Sequence, residues 1–372
     1  MKKGPFRYGG VVRPPYFIDR ERELEELTLS LEGGANIVLY SPRRYGKTSL
    51  IHRVAEQLEE KGITVVYMDF FQINSREKFL LSYLRAIFAK STRWERTLQQ
   101  LSRLIRSARP VLTMDLEGKP VLSLDMASSN PTALFEEVVH LPEKLAGKKR
   151  WVVIFDEFQE IEGLNGESFE KELRASIQHH QQVNYVLMGS RKHLLLAMVT
   201  RKNRAFYNFG KLVRLQKIPI ERWVPFLQSG MKKAGFSTPE SLVSRIVEEV
   251  DGIPFYVQYL AFEVLECAIL HKQLDEAIIN IAFDRMMGNQ EDYFRALWES
   301  VSFTQQQTLL AVAREDKGIY SKAYLDRHKL HTSSGIQRSV SVLMKKGILD
   351  KTGETYLFED PVFRRWLLEV GL

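Results

Sequence analysis

The sequence predicts an α/β core, a parallel sheet wound by helices on both faces, followed by a helical region and a small C-terminal module. Three observations point there. Short apolar runs rich in strand-forming residues recur through the first two thirds of the chain. Segments with apolar residues at helical spacing separate them. Beyond residue 218 the pattern turns almost wholly helical to about residue 300.

The first strand is "NIVLYS" (36–41), and a glycine-containing loop follows it directly. "GKTSLIHRVAEQLEEKG" (46–62) then places Leu50, Ile51, Val54, Ala55 and Leu58 on one helix face and stops at Gly62. "ITVVYMDF" (63–70) is the second strand. "STRWERTLQQLSRLIRSAR" (91–109) reads as a basic amphipathic helix, with Arg93, Trp94, Arg96, Arg103, Arg106 and Arg109 better explained as a solvated face than as a nucleic-acid patch. "PVLTMDLEGKPVLSLDM" (110–126) reads as a hairpin inserted in the core and turning at Glu117-Gly118. "WVVIFDEF" (151–158), "NYVLMGS" (184–190) and "LVRLQKI" (212–218) complete the sheet. The near-continuous apolar character of the first two suits parallel strands covered on both faces. The expected division is a core at 1–218, a helical lid at 219–300 and a last module at 301–372.

Composition narrows the class. With 44% hydrophobic and 27% charged residues the chain is an ordinary globular protein. One cysteine, Cys267, leaves no internal disulfide framework and fits a reducing cytoplasm. No apolar run approaches the ~18 residues of a membrane span, and no apolar region follows the basic start "MKKGPFRYGG" as a secretory signal would require. The net charge of +7 permits an acidic partner such as nucleic acid without requiring one. Eight histidines, with His179-His180 the one adjacent pair, assemble no ligand set.

The chemistry concentrates in "SPRRYGKTSL" (41–50). A phosphate-binding loop needs a strand, a tight glycine turn and a helix N-terminus, so that main-chain N–H groups and the helix dipole converge on the anion. Gly46 takes the close-approach position, Lys47 can reach the β- and γ-phosphates, and Thr48 can ligate Mg²⁺. Ser41 stands where the pattern has its first glycine, Pro42, Arg43, Arg44 and Tyr45 fill the loop, and Ser49 follows Thr48. The partner motif is "WVVIFDEFQEI", a strand ending in Asp156-Glu157. Adjacent carboxylates at a strand end are often solvated caps, but beside such a loop they divide the work. Asp156 would hold Mg²⁺ through water, and Glu157 would orient and deprotonate the attacking water. Ser190, at the end of a strand expected next to that of Asp156, can bond the γ-phosphate or the lytic water.

Taken with "YFIDRERELEEL" (16–27), "DGIPFYVQYLA" (251–261) and "FEDPVFRRWL" (358–367), these motifs make the chain resemble the archaeal-type ATPases of the STAND class, P-loop proteins related to AAA+ origin-recognition initiators. The match covers nearly the whole length. The resemblance implies that Phe17, Ile18 and Arg20 lie against the adenine ring, with Asp19 where the family commonly has glycine. It also implies that Pro254 closes over the nucleotide, although a proline there equally suits the first turn of a helix. Related chains often carry, near residues 205–215, an arginine that acts on a neighbour's ATP. Here Phe209 and Gly210 occupy that region, with Lys211 and Arg204 nearby, so the identity of any such finger and the homo-oligomer it would need stay open. A slow enzyme is expected.

Finally, "TQQQTLLAVARE" (304–315), "SKAYLDRH" (321–328) and "SSGIQRSVSVLMKKG" (333–347) read as three short helices, and "ILDKTGETYLFE" (348–359) as two strands around Thr352-Gly353. This plan resembles a winged helix-turn-helix. Its third helix offers Gln337, Arg338, Ser339 and Ser341 to a major groove, and Lys345, Lys346 and Lys351 to phosphates. Such modules equally serve to dock a protein. The expected whole is an α/β P-loop NTPase: a parallel sheet core with a helical lid domain and a C-terminal winged helix-turn-helix. It would be a cytoplasmic, Mg²⁺-dependent ATPase acting as a nucleotide-driven switch. The competing reading is a regulator that holds ATP or ADP with negligible hydrolysis. A small-molecule kinase lacks an acceptor-site motif here, and a helicase would need a second RecA-like domain.

Overall fold

The apolar runs become the strands of one sheet, covered on both faces at its centre. A computed structural model describes residues 4–90, 94–114, 120–125, 130–164 and 166–370. The chain divides into a core unit, Arg20–Ser41 with Lys47–Leu215, and a helical unit made of the segment up to Asp19, Pro42–Gly46 and everything from Gln216 onward.

The core unit runs α1 (Glu21–Glu32), β1 (Ile37–Tyr40), α2 (Lys47–Glu60), β2 (Thr64–Asp69), α3 (Arg76–Phe88), α4 (Trp94–Leu104), β3 (Arg109–Met114) and β4 (Pro120–Asp125). It continues through α5 (Pro131–Val139), α6 (Leu141–Ala146), β5 (Trp151–Asp156), α7 (Glu167–Ile177), β6 (Val183–Gly189), α8 (Lys192–Thr200) and β7 (Lys211–Arg214). Five strands form a parallel sheet in the order β2-β5-β6-β1-β7. Every residue of β5 and β6 is buried, whereas the edge strand β7 is largely exposed. Strand β6 lies between β1 and β5, pairing Tyr40 with Gly189 on one side and Phe155 with Leu187 on the other. The α2 face anticipated from spacing is buried at Leu50, Ile51, Val54 and Leu58, and the chain turns away at Gly62 with φ +78°.

The hairpin β3–β4 forms a separate two-stranded antiparallel sheet, Arg109 opposite Asp125 and Met114 opposite Pro120. Its turn at Glu117-Gly118 lies outside the described residues. On α4 and the segment after it, Leu101 and Ile105 are buried while Arg96, Arg103, Arg106 and Arg109 are exposed. Arg93 and the side chain of Trp94 fall outside the described residues.

The helical unit comprises α9 (Ile220–Lys233), α10 (Glu240–Glu249), α11 (Pro254–His271), α12 (Glu276–Gly288), α13 (Glu291–Glu299), α14 (Phe303–Arg314), α15 (Lys322–Arg327) and α16 (Ser333–Lys345). The two-stranded antiparallel wing β8 (Leu349–Thr352) and β9 (Thr355–Phe358) follows, then α17 (Pro361–Val370). One continuous apolar core runs through these helices. The last helix goes beyond the three helices and two strands expected of this module. Its start was legible, because Asp360 caps the amides of Val362 (3.0 Å) and Phe363 (3.1 Å) and proline occupies the first turn. Trp366 stacks on Phe363 at 5.8 Å, and Phe363 lies 5.4 Å from Phe294 of α13.

The N-terminal segment, read from sequence as part of 1–218, groups with this unit. Phe6 is buried against Gly230, where a Cβ would stand 2.5 Å from its ring, and Tyr8 stacks on Tyr259 at 4.1 Å. Gln258 accepts the Arg7 amide (3.1 Å) and donates to the Tyr16 carbonyl (3.1 Å), satisfying backbone that has no secondary structure of its own.

Candidate functional site

In the core unit the carboxyl ends of β1, β6 and β5 bring the central motif residues to one edge of the sheet. Lys47 opens α2 and is buried. Its Nζ donates to the Ser41 carbonyl at 2.8 Å and to Ser41 Oγ at 3.3 Å. The serine at the first glycine position therefore supplies a second acceptor for the ammonium. Ser49 is buried and Thr48 half-buried on the same first turn.

Asp156 ends β5 with 6% of its surface exposed. One oxygen accepts from the Tyr67 hydroxyl and the other from the Glu157 amide at 2.8 Å. Burial raises its pKa, and the Tyr67 bond opposes that shift. Tyr67 is held protonated in turn, by burial first and by the Asp156 charge second. Its ring stacks on His52 at 5.0 Å.

Glu157 adopts a left-handed backbone, φ +48°, which costs a non-glycine residue roughly 1–2 kcal/mol. Its side chain is heavily engaged: Oε2 accepts from the Ser190 amide (3.2 Å), the Ser190 hydroxyl (2.8 Å) and Gln159 Nε2. Gln159 is itself buried, and among the described residues its Oε1 finds no hydrogen-bond partner. A Cβ on Gly189 would stand 2.0 Å from that Oε1, so any larger residue there would have to displace the Gln159 side chain. Sequence reading singled out Asp156, Glu157 and, for the γ-phosphate or the lytic water, Ser190; it did not foresee the Glu157–Ser190 bond or the parts of Tyr67, Gln159 and Gly189. The available signals were a hydroxyl inside the apolar run 63–70 and the glutamine of "DEFQ".

Other anticipated residues lie elsewhere. Arg20, in the core unit, is 3% exposed and pairs with Glu23 at 2.7 Å as the N-cap of α1. Phe17, Ile18 and Pro42–Gly46 belong to the helical unit, where Ile18 and Tyr45 pack on its core. Arg44 and Gly46 have φ of +68° and +90°. A Cβ on Gly46 would meet no described atom within 4 Å, so its left-handed backbone and not a close neighbour calls for glycine. Pro254 is buried at the first position of α11, the place that suits its fixed φ.

The region expected to carry a finger is occupied internally. Arg204 binds the buried Glu170 in two places, one of them at 3.2 Å, and Glu162 at 3.0 Å. Lys211 pairs with Glu26 at 2.7 Å. Phe209 is buried under the Arg174 guanidinium at 5.2 Å. Gly210 lets the chain pass the Asn36 carbonyl, which a Cβ would meet at 2.4 Å.

On the winged module, Gln337, Arg338, Ser341, Lys345, Lys346 and Lys351 are exposed. Ser339 corrects the sequence reading: it is 5% exposed on the inner face of α16 and is not available to a groove. Lys346 already donates to the Ser300 carbonyl at 2.7 Å, and Lys351 lies over the Tyr356 ring at 5.1 Å. No helix among the described residues is long and apolar enough to cross a membrane.

A family described as "ATPase domain predominantly from Archaea" matches residues 17–260, and one described as "Probable winged helix domain" matches residues 292–369. An uncharacterized ATP-binding protein of Methanocaldococcus jannaschii is 29% identical over 160 residues, 39% of this chain, and the matched region spans 40% of that relative's length. A Walker-type ATPase of Pyrococcus abyssi superposes with a TM-score of 0.69 at 19% identity, covering 98% of this chain and 99% of the other. The Aeropyrum pernix ORC2 protein, in its ADPNP–ADP complexes, gives 0.56 at 16% identity over 98% and 97%. These structural likenesses establish the fold. The strand order, the loop that leads into Lys47 and a family match over residues 17–260 agree on one conclusion: the chain belongs to the archaeal ATPase family, as a P-loop ATPase with a C-terminal winged helix.

Proposed function

We propose that this protein binds ATP with Mg²⁺, hydrolyses it slowly, and uses the nucleotide state to govern engagement of duplex DNA by the winged helix. The observation that carries the reading is the set Lys47, Asp156, Glu157 and Ser190, gathered at the ends of three neighbouring strands of one sheet. Lys47 would turn its ammonium from the Ser41 oxygens to the β- and γ-phosphates. Asp156 and the Thr48 hydroxyl are hard oxygen donors of the kind Mg²⁺ takes, and would hold the ion there. Bound there, the ion would neutralise phosphate charge as the terminal bond breaks. Glu157 would accept a proton from the attacking water as its oxygen forms the new bond to the γ-phosphorus and ADP leaves with the bridging oxygen. Ser190, bonded to Glu157 at 2.8 Å, would position that carboxylate or the water.

The relative's ATP-binding name supports the nucleotide. The exposed face of α16, with Gln337, Arg338, Ser341 and Lys345 and no acidic residue in the helix, supports nucleic acid as the partner. One observation favours the second reading, a regulator that holds nucleotide without turning it over: Glu157 Oε2 already receives three hydrogen bonds.

Calorimetry and phosphate-release assays test both. Lys47→Ala should lose nucleotide binding by about 100-fold or more, each charge-assisted phosphate contact contributing ~1.5–3 kcal/mol. Glu157→Gln should keep binding and lower turnover by about 10²–10⁴. Normal phosphate release from Glu157→Gln would sink the hydrolytic assignment. Tight binding by wild type with no release would establish the second reading.

A further inference from the structure

Within the helical unit, Arg44 of the phosphate loop is held by two stretches of chain far from it in sequence. Its carbonyl accepts the Phe255 amide at 3.2 Å, at the N-terminus of α11. Its guanidinium lies 5.3 Å from the Phe255 ring centre and 4.7 Å from that of Tyr256. One guanidinium nitrogen then pairs with Asp360 Oδ2 at 2.7 Å, across 316 residues. Asp360 is the residue that starts α17: its other oxygen, Oδ1, caps the amides of Val362 and Phe363. One carboxylate therefore fastens the last helix of the winged module and the tip of the phosphate loop.

The chemistry of this pairing is competitive. A guanidinium presents a planar fork of donors that suits phosphate as well as it suits carboxylate. Here it sits three residues before Lys47, in the loop where nucleotide phosphates are expected, and its partner is a carboxylate oxygen. The Arg44 side chain keeps 31% of its surface exposed, against 12% for Asp360, so the arginine is the member free to change partners. The aromatic rings beside it attract the cation without fixing the direction of its donors.

We propose that Asp360 is an internal competitor for Arg44. Without nucleotide it occupies the guanidinium and ties the first turn of α17 to the loop; a nucleotide phosphate takes Arg44 and releases that turn. Occupancy of the loop and attachment of α17 are then linked, and the linkage runs both ways. The inference rests on the nucleotide-binding reading above and adds to it a route from the loop to the winged module.

Asp360→Asn separates the two duties of the side chain, because the amide oxygen still caps Val362 and Phe363 while the charge that holds Arg44 is gone. Calorimetric titration with ADP and with a non-hydrolysable ATP analogue should show the variant binding about five- to tenfold more tightly than wild type. In an Arg44→Gln background, Asp360→Asn should change affinity no further. Equal or weaker binding by Asp360→Asn would overturn the proposal, weaker binding meaning that the pair holds the loop ready for phosphate. A second measurement needs no variant. Amide exchange at Val362 and Phe363 in the wild-type chain should quicken on saturation with the analogue, and unchanged protection would count against release. If wild type holds no nucleotide at all, the nucleotide reading itself fails, a result distinct from tight binding that ignores Asp360.

Discussion

Arg204 illustrates how a residue's partners settle its role. An arginine near a predicted subunit-facing tip invites a catalytic reading, yet its guanidinium is committed to the fully buried Glu170 and to Glu162. Burial raises the Glu170 pKa, and the Arg204 bond works against that rise. Removing the cation strands a buried carboxylate, a loss of about 3–5 kcal/mol for a buried pair broken on one side. Arg204→Ala should therefore unfold at markedly lower denaturant concentration, read from urea melts of the purified protein. A variant with an unshifted melt would return Arg204 to the list of free cations. Glu157 shows the converse. Its left-handed backbone is tolerated where Ser190 and Gln159 fasten the side chain, an arrangement of the sort that accumulates at functional sites.

The third helix of the winged module is where composition and geometry part company. α16 buries Ile336, Ser339, Val340 and Leu343, so its outward face is left to Gln337, Arg338, Ser341 and Lys345. If that face meets DNA, Arg338→Ala and Lys345→Ala should each flatten the slope of log affinity against log salt by roughly 0.9, one phosphate contact apiece. Ser339→Ala should leave it unchanged. Fluorescence anisotropy with a duplex at several salt concentrations measures this, and slopes identical to wild type would remove α16 from the interface. The same helix-by-helix logic explains what could be read in advance. The 3.6-residue spacing of α2 and the cap-and-proline start of α17 are local signals, whereas the inward turn of Ser339 follows from the way α16 meets α14 and the wing.

Across the core unit, a half-buried histidine pair beside the buried Tyr185 ties stability to acid pH. His140 Nδ1 lies 2.7 Å from His180 Nε2, and His180 Nδ1 lies 2.7 Å from the Tyr185 hydroxyl. Burial lowers both imidazoles, His180 to about 4; Lys144 reinforces the shift at His140 and the His140 charge that at His180, His179 adds to both, and Glu143 opposes both. An unfolded histidine titrates near 6.5. The unfolded chain thus takes up the proton first, so stability that is full above about pH 6.5 is lost as pH falls toward 4. Urea melts across that range should show a steeper acid loss for wild type than for His180→Phe; parallel curves would exclude the pair as the cause. By itself, the sequence determined the sheet strands, the first helices of each region and the winged-helix plan, and pointed to the phosphate loop and the carboxylate pair, because apolar spacing, capping and turn chemistry act over a few residues. Only the tertiary structure decided that β6 stands between β1 and β5, that Tyr67 and Gln159 hold the two acids, and that residues up to Asp19 and Pro42–Gly46 group with the helices. Those outcomes depend on strand order and on contacts between residues tens to hundreds of positions apart, which no local pattern encodes.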